Sequence, residues 1–297
     1  MWSEAIEVFQ TDYVMIAVPV FLIALLLEWR WARDNGNNIY DRDDLRVSLG
    51  VMLITVVIDI VPKILALMLM FVCYEASPFK GDITAAGYWW VLLFFLDDFI
   101  YYWHHRLNHE VRILWAGHVP HHNSEYYHFG TALRQGVCER LLKYFFWMPL
   151  PLLGFHPLMV VSMLSFSLIY QFWLHTQSVG KLSPILEFVF NTPSHHRVHH
   201  ASNPCYLDRN HGGTLIVWDR LFGSFAEESD IEPVRYGVTR PLSRQTAVAA
   251  AFEEYTQLAA DIRRAKSLRD KFAYLFMAPG WSHDGPDKRS KTVRTSL

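Results

Sequence analysis

Between residues 144 and 177 the chain carries no Asp, Glu, Lys or Arg. So long an uncharged stretch is costly to leave in water, and a membrane bundle is the fold class that accommodates it. Three earlier stretches share this character. Residues 13–27 are uncharged and end on Glu28, Trp29 and Arg30, the pattern of a helix that reaches the membrane interface. Residues 47–74 are broken only by Asp59, Pro62 and Lys63, and residues 83–103 carry Asp97 and Asp98 near their end. A crossing needs about 17–25 residues, so the first run is marginal and the next two are long enough. The stretch 144–177 is interrupted in its first half by Pro149, Pro151, Gly154, His156 and Pro157. That interruption predicts a tight hairpin of two short helices that enter and return. The first run has no basic start and no small-residue cleavage site after it, and reads as a retained anchor rather than a signal peptide.

Loop charge orients these segments. No Lys or Arg precedes the first, whereas Arg30, Arg33, Arg42 and Arg46 follow it, so positive-inside counting places that connection in the cytoplasm. The next loop holds only Lys80, and residues 104–143 then return to the cytoplasmic side. A hairpin over 144–177 leaves residues 178–297 there too. The chain is expected to divide into a membrane bundle over 1–230 and a cytoplasmic C-terminal helix and tail over 231–297, with helix near 243–273 and a solvated terminus. Lys and Arg number 27 against 29 Asp and Glu, a formal net charge of -2 that offers no basic excess for nucleic acid. Three cysteines, Cys73, Cys138 and Cys205, are too few and too widely spaced for a disulfide framework or a CxxC metal site.

The histidines are grouped. Ten of the 15 lie in three windows: His104, His105 and His109; His118, His121 and His122; and His195, His196, His199 and His200. Residues three and four apart share a helix face, so His105 with His109 makes a pincer, while His118, His121 and His122, and likewise His196, His199 and His200, each present three imidazoles together. Crowded imidazoles are costly unless something binds their nitrogens. Eight donors from three segments are enough for two metal ions with open positions. Imidazole suits Zn, Cu, Fe and Ni. A structural zinc would use one closed site of four ligands, usually with Cys, which this composition does not offer. Two redox-active irons at a membrane surface suit oxygen activation and attack on an aliphatic C–H bond. The pattern leans towards a non-haem di-iron oxygenase or desaturase acting on lipid. His128, His156 and His283 stand alone and read as hydrogen-bonded or interfacial residues.

The HxxxH, HxxHH and HxxHH spacing resembles the fatty acid hydroxylase/sterol desaturase superfamily over roughly residues 90–225. So do Asp98-Phe99-Ile100-Tyr101-Tyr102-Trp103, Asn210-His211-Gly212-Gly213 and Trp218-Asp219-Arg220-Leu221-Phe222-Gly223. Within the superfamily, further motifs are most similar to the branch that cleaves glyceryl ethers: Trp115-Ala116-Gly117-His118, Ser124-Glu125, Thr131-Ala132-Leu133-Arg134-Gln135, Tyr170-Gln171-Phe172-Trp173, Asn191-Thr192-Pro193-Ser194 and Pro279-Gly280-Trp281. The resemblance implies an all-α fold, a multi-pass membrane helical bundle with a cytoplasmic helical cap around a histidine-rich di-metal site. It adds His175 to the metal ligands His105, His109, His118, His121, His122, His196, His199 and His200. It implies two Fe ions, O2 and tetrahydrobiopterin as electron donor, and a lipid substrate hydroxylated at the ether-bearing carbon, so that the product collapses to aldehyde and glycerol. The membrane would be endoplasmic reticulum in a eukaryote or the inner membrane in a bacterium. One departure is His211, which stands where the superfamily usually has Tyr and adds one more candidate ligand or proton donor.

Carboxylates near the clusters are few. A metal-bound imidazole usually donates its other N–H to a carboxylate or carbonyl, which marks Asp98, Asp208 and Asp219 as supporting candidates. His104 and His195 occupy the non-ligand positions of their motifs and read as supporting groups, although His195 lies four residues from His199 and could replace a ligand. Glu110 is a candidate catalytic residue for proton delivery, with a surface pair to Arg106 as the alternative. Two rival functions remain open. One is a sterol or fatty-acyl hydroxylase or desaturase fed by an electron-donor protein, and the other a non-catalytic zinc-binding membrane protein.

Overall fold

The computed structural model describes residues 13–84 and 86–296, and among them every regular element is helical. The polar start before residue 13, on which the orientation reading draws, lies outside them. In chain order the helices are α1 (Tyr13–Asp34), α2 (Arg42–Glu75), α3 (Gly87–Glu110), α4 (Arg112–His122), α5 (Glu139–Trp147), α6 (Pro149–Leu152) and α7 (Pro157–Leu174). They continue as α8 (Pro184–Val189), α9 (Pro193–His199), α10 (Val217–Phe222), α11 (Ala247–Arg264), α12 (Leu268–Phe276) and α13 (Ser290–Thr295).

Three of these, α1, α2 and α7, are long and apolar enough to cross a membrane. Their outward faces are apolar, the reverse of a soluble bundle. On α2, Val47, Val51, Thr55 and Asp59 recur every fourth residue on the buried side, while Leu53, Val57, Val61 and Leu65 are exposed. Asp41 starts this helix by accepting from the Asp43 and Asp44 amides at 2.9 Å each, a cap that satisfies otherwise orphaned donors.

The stretch 83–103, expected as a third crossing, is not among these three by composition. Its residues 87–103 fold as the first part of α3, which runs on to Glu110 and so carries a polar end. Its two acids turn inward: Asp97 accepts from Trp147 Nε1 at 2.7 Å, and Asp98 from the Thr214 and Leu215 amides and Trp218 Nε1 at 2.6–3.1 Å. Its other face keeps Tyr88, Val91, Leu92, Phe95 and Phe99 exposed.

The stretch 144–177 does turn back on itself, but with unequal arms. Before the turn lie only the short α5 and α6, whereas α7 after it has 18 residues. Gly154 makes the turn possible, with φ of +94° and a backbone so close to Phe79 that an added Cβ would sit 2.7 Å from its carbonyl oxygen. His156 then caps α7 by accepting from the Leu158 amide. A core of Met70, Leu93, Trp147, Leu150, Phe155 and Val160 joins α2, α3, α5, α6 and α7.

The helix expected over 243–273 divides at 265–267, where Ala265 leaves helical geometry and Ser267 caps α12 through the Asp270 amide. The C-terminal region is no detached tail. Ala250 and Ala251 of α11 pack against Val47 and Val51, Arg112 pairs with Glu254 and Asp261 at 2.9 and 2.8 Å, and Arg294 donates to the Leu207 carbonyl. Because Gly154 combines positive φ with close backbone contact, Gly154→Ala is expected to destabilise the protein by roughly 1–3 kcal/mol. The check is a lowered thermal midpoint in detergent; an unchanged midpoint would rule out the strain argument.

Candidate metal centre

Four segments bring imidazoles to one end of the bundle. The last turns of α3 carry His105 and His109, α4 carries His118, His121 and His122, His175 follows α7, and α9 supplies His196 and His199 with His200 just after. All nine are buried. They form two groups, His105, His109, His118, His122 and His199 in one, and His121, His175, His196 and His200 in the other, with donor atoms within 4.8 Å of one another in each.

The groups cut across the motifs. Sharing one face by spacing led to the expectation that His118, His121 and His122 act together, and that His196, His199 and His200 do. The structure instead sends the i, i+4 pair His118 and His122 to the first group and His121 to the second, and the pair His196 and His200 to the second and His199 to the first. Residues four apart lie about 40° apart around the helix axis and residues three apart about 60° on the opposite side, so an i, i+4 pair can face one group while the i+3 residue faces the other. The groups abut: the His122 and His200 rings stack at 4.3 Å between centroids.

Within the groups, nitrogen faces nitrogen. His118 Nε2 lies 3.2 Å from His105 Nε2 and 3.1 Å from His122 Nε2, and His175 Nε2 lies 3.1 Å from His121 Nε2 and 3.0 Å from His196 Nε2. His109 Nε2, His199 Nε2 and His200 Nε2 are buried without a hydrogen-bond partner. Metal–nitrogen bonds of about 2.0–2.1 Å place neighbouring donors about 3 Å apart, so this donor set fits transition-metal ions. Burial pushes His121, His122, His196, His199 and His200 well below the ordinary imidazole range, which keeps them in the neutral form that ligates.

The outer nitrogens are held by the surrounding chain. His105 Nδ1 meets the His211 carbonyl, His121 Nδ1 the Arg134 carbonyl, His175 Nδ1 the Gln171 carbonyl and His199 Nδ1 the Arg209 carbonyl, each at 2.9 Å. Of the three supporting acids expected, only Asp208 reaches a ligand-group imidazole, His109 Nδ1 at 3.2 Å. Asp98 and Asp219 act one step further out. Asp98 binds the 214–218 segment, and Asp219 accepts from the His211 and Gly212 amides at 2.7 Å each, so together they fix the loop whose carbonyl orients His105.

His104 and His195 stay outside both groups, as supporting groups would. His104 Nε2 lies 3.8 Å from Glu139, and His195 Nε2 lies 2.9 Å from Glu187. His211 also stands outside, its ring centroid 5.0 Å from that of His109. His128 stacks on Tyr40 and caps a short turn, and His283 meets the Tyr274 hydroxyl. Glu110 takes the surface alternative: its side chain is 43% exposed and accepts from Arg106 Nε at 2.8 Å.

Three supporting residues escaped the sequence reading. Glu139 reaches the first group because Cys138 takes φ of +61° and Gly136 leaves room; a Cβ on Gly136 would lie 2.1 Å from Glu139 Oε2. No spacing relates it to a histidine. Arg134 is fully buried, donating to Ser48 Oγ, Asn123 Oδ1 and Asp44, and so fixes the carbonyl that orients His121. Glu28, read only as an interfacial charge, is buried, accepting from the Phe129 amide, Tyr40 and Thr176 next to His175.

Arg134→Met leaves Asp44 buried without its cation and should cost about 3–5 kcal/mol, read as a lowered melting midpoint. A pH effect follows from the imidazoles. Unfolded histidines protonate near 6.5 whereas the buried ones resist, so stability of the metal-free protein is present above about pH 6.5 and lost as pH falls below it. Melting of chelator-treated protein at pH 8 and at pH 5.5 checks this; equal midpoints would contradict it.

Residues 90–224 match the family described as fatty acid hydroxylase. The alkylglycerol monooxygenase of Danio rerio is 38% identical over 276 residues, spanning 92% of this chain and 61% of that protein. That of Homo sapiens is 43% identical over 187 residues, 63% of this chain and 40% of its own length. The ornithine lipid hydroxylase OlsE of Rhizobium tropici is 27% identical over 148 residues, 47% of this chain and 42% of its own length. The chain thus spans less than two thirds of these curated relatives. No solved structure matches it. Over residues 90–224 the chain is similar to the fatty acid hydroxylase family, and along most of its length to the alkylglycerol monooxygenase of Danio rerio.

Proposed function

We propose that this chain is a membrane-bound di-iron monooxygenase that hydroxylates a lipid, with glyceryl ethers as substrates. The observation that carries the reading is the convergence of nine buried imidazoles into two adjoining groups at one end of a bundle with three membrane-length apolar helices. The names of the relatives support it. His105, His109, His118, His122 and His199 would hold one iron, and His121, His175, His196 and His200 the other. Two irons held there would supply oxygen activation and hydroxylation at the ether-bearing carbon, giving a hemiacetal that collapses to aldehyde and glycerol.

The chain's own part is placement and exclusion of water. Carbonyls and Asp208 orient the imidazole rings, and burial keeps bulk water from the reacting carbon. The centre shares its end of the bundle with the Arg-rich connection between α1 and α2: Asp44 of α2 meets Arg134, and Glu28 of α1 meets Thr176. Positive-inside reasoning then puts the active site on the cytoplasmic side, in the endoplasmic reticulum of a eukaryote or the inner membrane of a bacterium. Tetrahydrobiopterin is the proposed electron donor.

The ornithine lipid hydroxylase among the relatives favours one second reading, hydroxylation of another lipid with electrons from a redox-protein partner. A panel of glyceryl ethers, sterols and acyl lipids, each with and without reduced pterin and read by product mass, separates the two. Pterin-dependent release of aldehyde from glyceryl ethers is expected; turnover only with a protein relay would overturn the first reading. His121→Ala should reduce turnover at least 100-fold while leaving membrane insertion intact. Retained turnover would remove His121 from the centre, and zinc without oxygen consumption would leave a structural metal protein.

A further inference from the structure

The outer nitrogens of the two groups meet unlike partners. In the five-histidine group, His109 Nδ1 faces Asp208 Oδ1 at 3.2 Å, and Glu139 Oε2 lies 3.7 Å from His118 Nδ1, which has no hydrogen-bond partner. Glu139 is held there by Asn108 Nδ2, which donates to its other oxygen at 3.1 Å. In the four-histidine group, His121 and His175 meet only main-chain carbonyls, and His196 Nδ1 has no hydrogen-bond partner. Among the described residues no carboxylate lies within ion-pair distance of those four imidazoles; the acids that reach buried histidines stop at His104, His109, His118, His128 and His195. The charged side chains bracing that group's main chain are Arg134 and Arg197, each neutralised by its own acid, Asp44 and Glu228, and Glu28, which accepts from Thr176 Oγ1 beside His175 but lies within ion-pair distance of none of the four rings.

A carbonyl on the outer N–H orients an imidazole. A carboxylate also adds negative charge and raises the basicity of the nitrogen that binds the ion. We infer that the two sites hold their ions unequally: Asp208 and Glu139 make the five-histidine group the tight site, and the four-histidine group gives up its ion first. Donor number acts in the same direction, five against four. Glu139 and Asp208 are positioning residues in this account, acting on the ion through His118 and His109. The inference rests on reading the two groups as metal sites.

The test is iron release from the full chain in detergent, loaded anaerobically with the Mössbauer isotope and titrated with a soluble chelator. Iron content and the Mössbauer spectrum are followed together. Wild type is expected to lose its two irons in two steps. Glu139→Gln and Asp208→Asn, which keep shape and remove charge, should each shift the later step to about 10–100-fold lower chelator and leave the earlier step in place. The spectral component that changes in the variants should be the one that survives longest in wild type. Either variant alone suffices, provided its metal-free form melts as the wild type does. Release of both irons in one step, movement of the earlier step, or no movement in either variant would overturn the inference. A wild-type protein that binds no iron would instead overturn the metal-site reading.

Discussion

Buried imidazole nitrogens that face one another at 3.0–3.2 Å set the terms for the rest of this molecule. Neutral rings at that distance can share a proton only in pairs, and protonating further rings would bury charge. Such a donor set is suited to metal ions. It also requires four segments spread over residues 105–200 to end at the same place: the last turns of α3 and of α4, the residue after α7, and α9 with His200.

That requirement explains the polar machinery around the centre. The outer nitrogens of four of these rings are tied to carbonyls, and those carbonyls need a rigid main chain. Asp98 and Asp219 stiffen the 211–218 loop by accepting its amides, and Arg134 locks the turn whose carbonyl takes His121. Glu28 does the same beside His175, reaching from α1 to Thr176 and the Phe129 amide. Each is a charge placed inside a bundle whose outer surface is apolar, and each is saturated with donors or paired, as burial demands. The apolar outer face and the imidazole-lined end are thus opposite solutions to one constraint. Apolar side chains turn outward on α1, α2, α3 and α7, and polar groups gather where the helices end.

Much of this was legible in the chain. Apolar runs marked α1, α2 and α7, and the interruption at 149–157 marked the turn before α7. Histidine spacing, with the family resemblance for His175, named all nine imidazoles that converge. Those readings work because helix length against bilayer thickness and i, i+4 neighbours are local quantities. Where the readings slipped, a distant partner decided. The acids of α3 turn inward because Trp147 and the 214–218 segment are there to receive them.

Spacing along single helices determined which residues could bind metal, but not how they are shared. The split of His118 and His122 from His121, and of His199 from His196 and His200, depends on how α4 and α9 are rotated against α3 and α7, which only tertiary packing sets. The same holds for Glu139. It becomes the neighbour of His118 through a left-handed residue and a glycine without side-chain bulk, features that carry no sequence periodicity. Composition and local pattern therefore decided that this is a histidine-rich membrane protein. Packing decided that the nine imidazoles divide into two groups with unlike surroundings, because the charge beside each ring depends on contacts between segments that sequence separation hides.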